Sequence, residues 1–240
     1  MCNNPSIDIV VLAFLNVFPD QGLNGYPGTN FGSACKSTTF TTVDGLPTQL
    51  LNDCPEIEPG INACQSVGKK VLLSLGGAAP GNYYLASPTS AQNFANFHWG
   101  AFGPNQNNGY PRPFGNAAVN GFDLDLEPSG VTEAQGQQYY PDLISQLRIN
   151  YDNYGGVWYI SGAPQCITPD AHLSNSISSS WFDFLFVQPY NTDACSARSY
   201  VNTTYNGTYT FNDWLSQGYI NDGILIYAGL VSSTVANTRG

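Results

Sequence analysis

The chain has 240 residues, of which 42% are hydrophobic, 13% aromatic and only 10% charged. That is ample material for a core, and too many aromatics for a disordered chain. Seven Lys and Arg stand against 17 Asp and Glu, a formal net charge of −10, which argues against nucleic acid or an anionic membrane as partner and fits a neutral substrate or a soluble surface. No apolar run nears the roughly 20 residues needed to span a bilayer.

In chain order, the apolar runs at 7–15, 70–77, 121–127, 157–164, 182–190 and 223–230 read as buried strands. Residues 19–35 and 103–116, rich in Gly, Asn and Pro, read as long loops, the usual place for a binding groove. Helical signals lie between the strands. One helix starts at the cap Ser87 with a Pro after it and runs on through Phe94, Phe97 and Phe102. A second starts at the cap Thr132 and carries Tyr140, Leu143, Ile144 and Leu147 at helical spacing. A last short one is expected within 211–219. Val-, Ile- and Leu-rich strands alternating with helices predict a parallel sheet with helical crossovers, and about 250 residues is the usual length of a single α/β barrel. No sequence repeat or linker-like shift in composition divides the chain.

The start, MCNNPSIDIV, has neither a basic segment nor a clear apolar one, so no signal peptide is read there. Six cysteines, Cys2, Cys35, Cys54, Cys64, Cys166 and Cys195, form an even set without a C-x-x-C. With only two His, this argues for disulfides over zinc. Asn202 and Asn206 each head a glycosylation sequon. Even Cys, few Lys and two sequons together predict an extracellular protein whose signal peptide is not in this sequence.

The chemistry concentrates in GFDLDLEPSG, residues 121–130. Asp123, Asp125 and Glu127 alternate with Phe122, Leu124 and Leu126. In a strand the three acids share one face and the three apolar residues the other. As a central barrel strand this puts the apolar face against helices and the acids inside. Buried, adjacent carboxylates push at least one pKa up, which keeps a carboxyl protonated near neutral pH, as a general acid requires. Glu127 falls nearest the strand's C-terminal end, where barrel active sites lie. A solvated acidic edge strand is the plain alternative. A hard-metal site is another, disfavoured because no further acids complete a coordination sphere.

GFDLDLE resembles the D-x-x-D-x-D-x-E signature of the family 18 glycoside hydrolases, with Asn120 at the first Asp. KVLLSLGG resembles that family's S-x-G-G motif, at Ser74, Gly76 and Gly77. GAPQC, VQPYN and VVLAFLNVF resemble its fifth, sixth and second strands. The likeness is strongest to the plant and fungal class III chitinases. It implies a TIM (β/α)8 barrel and endo-hydrolysis of β-1,4-linked N-acetylglucosamine in chitin and chitooligosaccharides by a retaining, substrate-assisted route, with no cofactor, no metal and a monomeric chain. By the same resemblance Glu127 is the general acid, Asp125 orients the acetamido group, Asp123 shares a proton with Asp125, and Tyr190 binds the acetamido oxygen. Gln188, Asn191, Gly76 and Gly77 are implied as sugar contacts. Asn120 lacks the charge of the family's Asp, and an altered proton sharing behind the ladder is expected from it. The implied disulfides are Cys2–Cys64, Cys35–Cys54 and Cys166–Cys195.

Six strands are read where the family has eight, so the chain is expected to be a single catalytic domain over 1–240 lacking the barrel's first and last strands. Some members of the family are lectins or protein inhibitors, typically with the Glu or its neighbouring Asp changed. Both acids are present here. An endo-β-N-acetylglucosaminidase acting on N-glycans would use the same carboxylates.

Overall fold

The structure is a computed structural model, which describes residues 1–198 and 211–231. Each of the six apolar runs forms a strand: β1 (Ile9–Val17), β5 (Lys70–Gly76), β6 (Gly121–Asp125), β7 (Tyr159–Gly162), β8 (Phe184–Val187) and β9 (Leu225–Ala228). They pair in that order and all run parallel. From Val71 to Gly76 every residue of β5 is buried, as expected for a strand covered on both faces, where a continuous apolar run is stable and strict alternation is not needed.

Three further strands and a helix lie between β1 and β5. β2 (Gly28–Thr29) pairs antiparallel with the C-terminal end of β1, and β3 (Thr39–Thr41) and β4 (Pro47–Leu51) make a separate hairpin. The helix α1 (Ile57–Ser66) follows. The long loop expected at 19–35 is therefore not wholly irregular: β2 and two short 3-10 turns fall inside it. The expected loop at 103–116 contains no helix or strand. Arg112 holds it by donating to the carbonyls of Gly100, Gly103, Gly115 and Ala117, among them orphan carbonyls at the end of the preceding helix.

That helix, α2 (Pro88–Phe102), begins as expected, with Ser87 Oγ accepting the Ser90 N–H at 3.0 Å. The second expected helix is two. Thr132 caps only α3 (Glu133–Gln137), and α4 (Tyr140–Tyr154) starts anew after Tyr139 takes a left-handed φ of 65°. Pro141 explains the break, because its ring would clash with the carbonyl four residues back in a continuous helix. α5 (Ser174–Ser179) follows β7, and a short helix at Phe211–Leu215 precedes β9.

Helices α2 and α4 cover the outer face of the sheet. Phe122 packs edge-on against His98 of α2, ring centroids 5.3 Å apart, and Trp99 meets Tyr151 and Trp158. Burial lowers the His98 pKa to about 3, so it is a neutral core residue. Phe122, Leu124 and Leu126 are all buried on this face, which leaves the acids of the ladder pointing inward.

Three disulfides pair Cys2 with Cys64, Cys35 with Cys54, and Cys166 with Cys195. The last joins the loops that leave β7 and β8. Among the described residues no strand pairs with the outer edge of β9, and β2 covers only the Leu15–Val17 end of β1. Asn202 and Asn206 lie outside the described residues.

Candidate active site

Register builds the site. Asp123 lies directly between Ser74 on β5 and Ser161 on β7, as Cα partners on both sides. Each serine donates its hydroxyl to a different carboxylate oxygen of Asp123, Ser74 at 2.7 Å and Ser161 at 2.5 Å. Asp123 is 3% exposed. Burial raises its pKa, and the two hydroxyls pull it partly back.

Asp125 is the last paired residue of β6, opposite Gly76. Its carboxyl accepts the Gln188 amide at 2.9 Å and is hydrogen-bonded to the Glu127 side chain. Burial, then the charges of Glu127 and Asp123, push it up to about 9. Burial and the neighbouring charges thus favour the protonated form of Asp125 beside Glu127. Gln188 reaches this position from just beyond β8, where its N–H bonds Pro164. Its side-chain amide also donates to the Ala163 carbonyl at 2.8 Å and lies 3.5 Å from Glu127 Oε1.

Glu127 lies two residues past the end of β6, half-buried. Its backbone N–H donates to the Tyr83 hydroxyl at 2.7 Å, and that hydroxyl donates to the Gly77 carbonyl at 2.9 Å. Gly76 and Gly77 adopt φ of +105° and +79°. A Cβ at Gly76 would stand 2.3 Å from the Asp125 carbonyl, and the Gly77 N–H donates to that same carbonyl at 2.7 Å. Both positions need Gly for the turn and for the close approach. The Gly77 N–H is spent on the protein itself.

Tyr190 feels all three acids: burial first, then Asp125, Glu127 and Asp123, raise its pKa to about 12. The phenol stays neutral and can donate. Asn191, next in the chain, is exposed and turns with φ 59°. Asn120 corrects an expectation. Its Oδ1 accepts from the Val71 N–H and the Gln65 amide, at 2.8 and 2.9 Å. It is bound to the entry end of β5 and to α1, and Asp123 takes its bonds from Ser74 and Ser161 instead. An acceptor alone is needed at 120, which Asn and Asp both supply.

Tyr83 and Ser161 were not singled out in the sequence. Ser161 shows as a polar residue inside an apolar run, but only register places it opposite Asp123. Tyr83 sits in the loop after β5, with no local signal. A cleft of about 600 Å³ is lined by Asn16, Asn30, Lys36, Gln49, Ala79 and Pro80 among others, with none of the three acids in its wall. Asn16 donates to the Ala79 carbonyl across it.

The model of the glycosyl hydrolases family 18 matches residues 3–238. Curated relatives include "Endochitinase 2" of Coccidioides posadasii, 45% identical over 89% of this chain and 25% of its own. "Endochitinase A1" of Aspergillus fumigatus is 41% identical over 100% of this chain and 27% of its own. The chain thus spans about a quarter of the length of these relatives. Among solved structures, the ICChI chitinase from Ipomoea carnea superposes with a TM-score of 0.75 at 29% identity, covering 100% of this chain and 77% of that one. The xylanase and alpha-amylase inhibitor protein XAIP-II from Scadoxus multiflorus gives 0.76 at 29% identity, with 100% and 76% covered. The parallel sheet is thus that of TIM-barrel-like proteins, and on the match over 3–238 the chain belongs to the family 18 glycosyl hydrolases.

Proposed function

We propose that the chain is a single catalytic domain that cleaves β-1,4 linkages within chitin and chitooligosaccharides, with retention of configuration and with the substrate's own acetamido group as nucleophile. The observation that carries this is the hydrogen-bonded pair of carboxyls, Asp125 and Glu127, bridged by the Gln188 amide at the C-terminal edge of the sheet. The relatives named endochitinases support the substrate.

The chemistry follows from the geometry. In the free site the proton rests on Asp125, facing Glu127. An acetamido N–H arriving at Asp125 stabilises the ionised carboxylate, so the proton passes to Glu127. Glu127 then gives it to the glycosidic oxygen as the C1–O bond breaks. The acetamido carbonyl oxygen closes on C1, and the resulting cation lies against the Asp125 carboxylate. Tyr190, whose phenol stays neutral beside the three acids, donates to the acetamido oxygen. Water, activated by the now ionised Glu127, opens the ring from the same face as the departed group. Asp123, held by its two serines and raised by burial, lies beneath Asp125, and any charge on it favours the proton on Asp125. Gln188 orients Asp125, Gly76 and Gly77 act through the turn, and exposed Asn191 contributes a sugar contact. The cleft lined by Asn16, Asn30, Ala79 and Pro80 offers room for further sugar rings of a polymer.

We further propose that the protein is secreted and acts as a monomer; three disulfides support the first. A second reading is an inhibitor-like barrel without catalysis, supported by the likeness to XAIP-II. The intact Asp125 and Glu127 favour the enzyme. The deciding experiment follows reducing ends from colloidal chitin, glycan release from a high-mannose glycoprotein, and inhibition of a xylanase and an α-amylase. Reducing ends from chitin alone are expected. Glycan release or inhibition without chitin hydrolysis would replace this reading.

A further inference from the structure

We propose that Tyr83 is a positioning residue for the hydrolysis: its phenol oxygen fixes the peptide plane of Glu127 and ties it to the Gly76–Gly77 turn. The inference rests on the hydrolytic reading above. The ladder of β6 ends at Asp125, so the sheet no longer holds the backbone at Glu127. The Glu127 N–H finds its acceptor in Tyr83 instead, at 2.7 Å. A phenol has one proton to give, and here it goes to Gly77 O at 2.9 Å; the Asp125 carbonyl is farther, at 3.4 Å. With the Gly77 N–H on the Asp125 carbonyl, these bonds close a ring that links the exits of β5 and β6.

The ring of Tyr83 cannot swing away. It is fully buried and stacks on Phe18 at 4.7 Å, and Phe18 is itself packed against Phe94 and Tyr140. The next residue is tied as well, its N–H donating to Gln21. At Gly76 a Cβ would stand 2.8 Å from the phenol oxygen, so the glycine makes room for the tyrosine as well as for the turn. Burial, with Asp125 and Glu127 nearby, raises the Tyr83 pKa well above the ordinary phenol range, so the group stays a neutral donor and acceptor over the working pH range. The Tyr83 hydroxyl bonds backbone atoms alone, and its effect on chemistry runs through where it places the Glu127 carboxyl relative to Asp125.

The test is Tyr83→Phe, which removes one oxygen and leaves the packing. A buried N–H left without its acceptor costs on the order of a five- to hundredfold change in a rate that depends on it. The expected result is kcat on a chitin oligomer lowered at least about fivefold with KM within about twofold. The alkaline limb of the pH profile is expected to move to lower pH. With Glu127 free to drift from Asp125, the like charge that raises Asp125 weakens and its proton is lost sooner. Carboxyl carbon NMR reads that same change directly, as a lower Asp125 midpoint in the variant than in the unaltered chain. An unchanged kcat and an unchanged Asp125 midpoint would overturn the proposal, as would a loss confined to KM. Should Tyr83→Phe unfold at the assay temperature, a ring-fluorinated tyrosine at position 83 decides. It keeps the shape and weakens the acceptor, and an unaltered kcat there overturns the proposal. If the unaltered chain hydrolyses no chitin oligomer, the hydrolytic reading fails and the NMR midpoint still decides the placement of Glu127.

Discussion

Replacing Asp125 by Asn should make the protein less active and more stable, and the gain in stability should grow with pH. In the folded protein the Asp125 carboxyl is pushed from 3.8 up to about 9. Below pH 3.8 folded and unfolded chains are both protonated there, and the group is neutral for stability. As pH rises through 3.8 the unfolded chain ionises while the folded site holds its proton. The native state then loses about 1.4 kcal/mol per pH unit until the site itself ionises near 9. At pH 7, about three units above the lower value, the cumulative cost is up to about 4 kcal/mol, a large share of the roughly 5–15 kcal/mol that holds a domain together. Asn cannot ionise in either state. It also fits the bonds of the protonated acid, accepting from Gln188 and donating to Glu127, so little is lost in the fold. Urea unfolding of both proteins at pH 4, 5.5 and 7, with disulfides intact, reads the difference. The expected pattern is near-equal stability at pH 4 and a gap that widens to pH 7. In melting experiments that gap amounts to roughly 10 °C for a chain of this size. A gap independent of pH, or an Asn variant less stable at pH 7, would refute the claim that Asp125 is held protonated.

Glu127→Gln keeps shape and loses the transferable proton; hydrolysis should fall at least about 10²–10⁴-fold, while calorimetry shows chitin oligomers still bound. Activity within about threefold of the unaltered chain would sink the acid assignment. The first product should be the β anomer, since neighbouring-group attack and hydrolysis are two inversions; proton NMR within the mutarotation time decides, and an initial α anomer rules the mechanism out. Cys166–Cys195 closes a span of 29 residues, so its selective removal by a Cys166→Ala, Cys195→Ala pair should cost about 3–4 kcal/mol in the chain-entropy model. Unchanged unfolding midpoints would count against it.

The six parallel strands were legible as short runs rich in Val, Ile, Leu and Phe; β5 is buried from Val71 on and apolar but for Ser74, while β6 shows itself by alternation and the edge strand β9 is mostly exposed. The cap at Ser87 was legible for a local reason, a hydroxyl three residues before an amide it can reach. What escaped was non-local or subtle. The β3–β4 hairpin has short strands with mixed residues. The break between α3 and α4 turned on Pro141 outweighing a helical spacing of apolar residues. In the site, Asp123, Asp125 and Glu127 announced themselves by alternation. Ser161 and Tyr83 did not, since their importance comes from register across strands and from a loop folding back, neither of which leaves a pattern in nearby residues. Asn120 shows the opposite error. Sequence proximity suggested a link to the proton-sharing acids, yet its oxygen belongs to the far end of the strand.

The three acids of one strand face are chemically alike, and the neighbours of each make them different. Asp123 meets a serine hydroxyl on either side, which holds its oxygens in place at complete burial. Asp125 receives a single amide from Gln188 and faces Glu127, so its charge is poorly compensated and it takes the proton. Glu127 has left the sheet, with its backbone on Tyr83 and its half-buried carboxyl against Asp125. Along about 13 Å of strand the environment runs from fully satisfied to under-satisfied to nearly free. A proton between the second and third positions can therefore move when a ligand offers Asp125 the hydrogen bond it lacks. A ladder with equal environments would hold its protons evenly and would have no reason to release one on binding. The asymmetry comes from ending β6 at Asp125 while β5 and β7 still flank Asp123, which makes strand length as much a part of the chemistry as the carboxylates themselves.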